Sequence, residues 1–100
     1  MKENMLFSGE SKNIEYKVTV PDKSEKYMKT VVAFANGKGG KIVFGVDDKT
    51  LEIVGMNTEN IYKTMDAITN AISDACEPSI RPDVALQTVK DKTVIVVRNF

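Results

Sequence analysis

The sequence predicts an α+β domain of two layers: a mixed sheet of about five strands and two helices, in the order β-α-β-β-α-β-β. Three observations lead there. Apolar residues alternate over 13–18, they recur at spacings of three and four in two longer stretches, and short β-branched runs come in pairs around turn residues. A sheet and helices that each carry one apolar face bury those faces against one another, which gives the layers.

In "NIEYKVTV", Ile14, Tyr16 and Val18 alternate with Asn13, Glu15 and Lys17, the pattern of a strand with one face buried. Glu15 and Lys17 therefore share the opposite face. After "PDKS", the apolar positions Tyr27, Met28, Val31, Val32 and Ala35 predict a helix running to about Asn36, with Ser24 or Asp22 available as its cap. "KIVFGV" and "LEIVGM" flank "DDKT" and read as a hairpin. Ile61, Met65, Ile68, Ile72 and Ala75 step by four and three, a second helix from near Thr58 to before Pro78. "DVALQTV" and "TVIVVRNF" flank "KDK" as a second hairpin, the last strand being apolar enough for the middle of a sheet. The polar "SGESKN" reads as a lead-in loop.

A chain of 100 residues, 42% of them apolar, suffices for one domain over 1–100 and excludes a second. It stops immediately after its most hydrophobic strand, so an N-terminal fragment of a longer protein is expected. Fourteen Lys and Arg balance fourteen Asp and Glu, so a site for a polyanion must be a local patch. The absence of His removes imidazole chemistry, and the single Cys76 forms no internal disulfide. No segment is long and apolar enough for a bilayer, which predicts a cytoplasmic protein without a membrane partner.

"FANGKGGKIVFGVDD" looks at first like a phosphate-binding loop. A P-loop, however, runs strand, glycines, helix, and holds phosphate on free N–H groups at a helix N-terminus. Here the glycines follow a helix, whose last carbonyls repel phosphate, and Lys41 is followed by Ile42 rather than Ser or Thr. The glycines are thus expected to stop a helix, with Gly37 left-handed and Gly39 and Gly40 reversing the chain.

Residues 11–41 hold seven lysines, Lys12, Lys17, Lys23, Lys26, Lys29, Lys38 and Lys41, against Glu15, Asp22 and Glu25. That local excess, hidden by the zero net charge, suits a surface that follows a phosphate backbone. Exposed helical lysines also serve solubility alone. Without a base-reading helix or aromatic platform, sequence-specific readout is not expected. Arg81 is a further cation, or a cap on the second helix's carbonyls. Glu15 and Lys17 form an acid-x-Lys pair of the kind that serves metal-dependent nucleases, in which carboxylates hold Mg or Mn and Lys offsets developing charge. The plainer alternative is a solvated strand face, with "DDKT" an ordinary turn whose Asp accepts backbone N–H bonds.

Taken together, "ESKNIEYK", "VVAFANGKGGKIVFGVDD", "EIVGM" and "EPSIRPDV", in that order and spacing, resemble the Schlafen-type AlbA-like domain, the "divergent AAA" or DNA-binding domain of bacterial regulators. The likeness runs from about Glu10 to Val97. It implies an α+β nucleic-acid-binding module of a transcriptional-regulator-like protein, followed in the parent chain by an ATPase-like region and a winged helix. The vertebrate Schlafen branch further implies a metal-dependent RNase site of three acids. By motif these are Glu10, Glu15 and either Asp47 or Asp48, with strand alternation favouring Asp47 as the metal ligand if the strand runs unbroken past Val46. Those enzymes pair two such domains in a horseshoe, so a single copy implies a homodimer for catalysis, or no catalysis.

The resulting expectation is a module that binds DNA or RNA through its lysines, with no cofactor required. Its rivals are a Mg- or Mn-dependent nuclease using Glu10, Glu15 and Asp47 or Asp48, and a dimerisation domain pairing through a sheet edge.

Overall fold

A computed structural model describes residues 13–76 and 81–98. The element order is β1 (Ile14–Lys17), α1 (Glu25–Asn36), β2 (Lys41–Phe44), α2 (Ile61–Ala75), β3 (Asp83–Val89) and β4 (Lys92–Arg98). The sheet order is β1-β2-β4-β3, with β1 parallel to β2 and the other pairs antiparallel. This is the expected α+β architecture with a mixed sheet and two helices, built on four strands rather than about five. Among the described residues no helix is long and apolar enough to cross a membrane.

β4 lies in the interior of the sheet, as its composition predicts, because it must bury side chains on both faces. Ile95 and Val97 join Ile42 and Phe44 of β2 in a core with Tyr27 and Val31 of α1 and Ile61, Ile68 and Ile72 of α2. Both helices therefore cover one face. Val94 and Val96 point the other way and pack with Val43, Val46, Ile53 and Val89, beside Ile14 and Tyr16 of β1. Phe44 is fully buried, a contribution of about 1.5–3 kcal/mol. Its ring meets that of Tyr27 edge to face, with centroids 5.6 Å apart, which adds about 0.5–1.5 kcal/mol.

The helix starts are made by backbone. Ser24 occupies the cap position of α1, yet its side chain makes no capping bond. Its carbonyl instead accepts the N–H groups of Tyr27 and Met28. α2 starts at Ile61, three residues later than expected from Thr58, because Asn57 Oδ1 accepts the Glu59 N–H and Asn60 turns left-handed at φ 62° before the first helical turn.

The glycine turn differs in one detail from expectation. Gly37 is not left-handed (φ −106°), whereas Gly39 is (φ 84°). The reason is that Phe34's carbonyl accepts the amides of both Gly37 and Gly39, so reversal is completed two residues later. Asn13 then ties the turn to β1: its side chain donates to the Gly39 carbonyl at 3.0 Å and its own carbonyl accepts the Lys41 N–H at 2.9 Å. These amides are spent within the protein, consistent with a helix stop.

"LEIVGM" forms no strand, only a single bridge between Val46 and Ile53. Gly45 is the cause. Its φ of 110° swings the chain out of the sheet, and its amide and that of Val46 both donate to the Lys17 carbonyl, two residues facing one as in a bulge. Leu51 and Gly55 are also at positive φ, so the following run cannot stay extended. Met56 donates instead to Thr93 of β4. A Cβ at Gly45 would lie 3.1 Å from Val94 Cγ1 and 3.3 Å from Met56 Cγ. Gly45→Ala is therefore expected to cost about 2 kcal/mol in urea unfolding, from strain at positive φ and overpacking together. An unchanged midpoint would show that the bulge relaxes freely.

Candidate nucleic-acid interface

The β-α-β connectivity spreads the lysines along a line. Lys17 closes β1, Lys23 lies in the following connection, and Lys26 and Lys29 stand exposed one turn apart on α1. Lys38, also exposed, lies just past the other end of α1, and Lys41 opens β2 on the sheet face turned away from the helices, the side of Ile14 and Val43, whereas Lys17 is on the helix side. Lys12 lies outside the described residues. Two groups thus sit at opposite ends of a helix roughly 18 Å long, with Lys29 between them.

One cation near this line was missed by sequence reasoning. Arg98 stands across the β2–β4 ladder from Lys41 and is ion-paired with Asp83 at 2.9 Å. Both partners of the pair are over two-fifths exposed, which limits its worth to at most about 1 kcal/mol. Its only sequence signal was a charged residue ending an apolar strand. Arg81 is exposed and makes no hydrogen bond to a helix carbonyl among the described residues, so the capping role weighed for it is not observed there.

Glu15 stands opposite Ile42, and Lys17 opposite Phe44, in the parallel β1–β2 register. The acid and the lysine therefore share the helix-covered side of an edge strand, while Ile14 and Tyr16 pack on the other. The bulge brings the segment after Gly45 to the Lys17 end of β1, so Asp47 and Asp48 follow directly on that contact. Asp47 is a turn former. Its Oδ1 accepts the N–H groups of Lys49 at 2.8 Å and Thr50 at 3.0 Å, while its carbonyl accepts the Leu51 N–H. Asp48 is exposed. Strand alternation cannot choose between them, because the strand ends at Phe44 and bulges at Gly45. Glu10, the remaining acid, lies outside the described residues, and among the described residues no three acids, thiols or imidazoles converge on a metal position. The described residues alone therefore do not make a centre for Mg or Mn.

The Thr50 amide, and after it the Lys49 amide, hold the Asp47 carboxyl below its usual range. A depressed folded-state value stabilises the fold above the unfolded carboxylate pKa of about 3.9, and that contribution is lost as pH falls from there through the lowered value. Asp47→Asn retains an acceptor without the charge. Its stability deficit against the wild type is expected to shrink as urea midpoints are followed downward from neutral pH, whereas parallel profiles would deny the carboxylate this role.

With this geometry in hand, comparison with known proteins gives a consistent result. The Schlafen, AlbA_2 family model matches residues 10–99. An uncharacterised ATP-binding protein of Ureaplasma parvum is 32% identical over 98 residues, covering 94% of this chain. The chain spans only 27% of that relative's length. The N-terminal domain of an ATP-dependent DNA helicase RecG-related protein from Nitrosomonas europaea superposes with a TM-score of 0.62 at 28% identity, over 96% of this chain and 67% of that one. A Corynebacterium diphtheriae protein shares the fold alone, with a TM-score of 0.60 at 20% identity over 90% of this chain and 21% of its own. The match over nearly every residue from Glu10 onward, on an α+β domain of this strand order, places the chain in the Schlafen AlbA_2 family.

Proposed function

We propose that this domain is a nucleic-acid-binding module that grips the phosphate backbone of DNA or RNA, as part of a transcriptional-regulator-like protein. One observation carries the reading: in a chain of zero formal charge, residues 13–41 hold six lysines against three acids, set out along the β1-α1-β2 unit. Backbone contacts dominate nucleic-acid affinity and carry no sequence information, which suits a line of lysines without a base-reading helix. The RecG-related neighbour, a helicase-like protein by its description, supports a role on nucleic acid.

Lys26 and Lys29 are exposed on α1, so reversing their charge leaves stability within about 0.5 kcal/mol. Lys26→Glu combined with Lys29→Glu is expected to weaken binding of duplex and structured RNA by about tenfold or more at low salt. Unchanged affinity in a gel-shift titration would remove these lysines from the interface.

A second reading is a metal-dependent nuclease, and the observation favouring it is the bulge that sets the Glu15 and Lys17 strand beside the Asp47–Asp48 turn. Under that reading, labelled RNA incubated with Mn is cleaved, and Glu15→Gln abolishes the cuts while preserving the gel shift. Binding without cleavage in Mn would leave the acids with their structural roles.

A further inference from the structure

A cleft of about 700 Å³ opens between the β1–α1 connection, the segment 54–57 and α2, within the roughly 300–1,000 Å³ range of small-ligand sites. The Gly45 bulge builds it: the Lys17 carbonyl holds the Gly45 amide, and the Gly45 carbonyl holds the Val54 amide, which sets Val18 and Val54 on neighbouring strands of backbone. These two valines are 43% and 46% exposed, and both line the cleft. Aliphatic side chains left accessible in a concavity offer apolar walls that are unfilled by the protein's own core. Opposite them, α2 presents Ala67 and Ala71, whose small side chains keep the cleft open.

The charge distribution is uneven. Asp22 and Glu59 line the cleft, and among the described residues no lysine or arginine does. Lys17 and Lys23, however, adjoin Val18 and Asp22 in the chain, directly outside it. A phosphate is therefore repelled inside and attracted outside, while an apolar planar ring with hydrogen-bond donors on its edge suits the interior.

Resting on the backbone-binding reading above, the geometry points to this cleft as the seat of one unpaired nucleobase bearing an exocyclic amine, with its own phosphates held by the lysines at the rim. Carboxylates accept from the exocyclic amine of cytosine, adenine or guanine, whereas the one ring donor of unpaired thymine or uracil, N3–H, lies between two carbonyl oxygens that repel a carboxylate. The domain should accordingly prefer single strands whose bases can leave the stack.

The test compares three single strands of equal length by fluorescence anisotropy on the full chain: oligo-dC, oligo-dT and an abasic oligomer with the same number of phosphates. Oligo-dC is expected to bind about tenfold more tightly than the other two. Ala67→Phe, which fills the cleft from α2, and Val54→Lys, which sets an ammonium group against the base's amine at an exposed position, should each abolish that difference. Either variant suffices if the other fails to fold. Equal affinity for all three strands in the wild type would overturn the inference and leave backbone binding standing. No binding to any strand would overturn both.

Discussion

Gly45 is the residue on which the arrangement of this domain depends. At φ 110° it does three things at once: it ends the β1–β2 ladder by sharing the Lys17 carbonyl with Val46, it aims Val46 into the lower core, and it offers its own carbonyl to Val54 and Gly55. Any side chain at this position would press on Val94 and Met56. The acid turn, the segment 54–57 and the mouth of the cleft all take their positions from this single junction.

Behind it stands the β2–β4 pair, whose residues are buried on both faces of the sheet. Because Ile42 and Phe44 face the helices while Val43 faces away, β2 is anchored from both sides, and its register with β1 is fixed with it. That register decides which side of the edge strand carries Glu15 and Lys17. The lysines therefore inherit their geometry from the core: the β1–β2 register fixes Lys17 on the helix side of the sheet and Lys41 on the other, and the apolar stripe of α1 fixes the opposite face that carries Lys26 and Lys29.

Much of this was legible in the sequence because side-chain periodicity is local. Alternation gave the correct faces of β1 over Ile14–Lys17, though Val18, read as continuing its buried face, lies past the strand's end and is exposed, and the spacing of Ile61, Ile68 and Ile72 gave the buried stripe of α2. What periodicity does not report is backbone sign. "LEIVGM" has the composition of a strand, but Leu51 and Gly55 adopt positive φ, and nothing in their residue types announces that for Leu51. The same limit moved the left-handed position from Gly37 to Gly39. Among the candidate acids, the turn chemistry of Asp47 was readable from its place before "DKT", since a carboxylate there accepts the amides two and three residues on. The cleft was not readable, because its walls come from 18–27 and 54–71, stretches distant in the chain that the core and the hydrogen bonds at Gly45 bring together.

The lysine line and the cleft form one surface only if nucleic acid touches both, and amide NMR shift mapping on the labelled chain with a short cytosine-rich single strand asks this directly. Shifts concentrated in residues 17–29, 38–41 and 54–57, with β3 unaffected, are the predicted footprint. A footprint on the β3–β4 hairpin, or shifts scattered without a continuous surface, would contradict it.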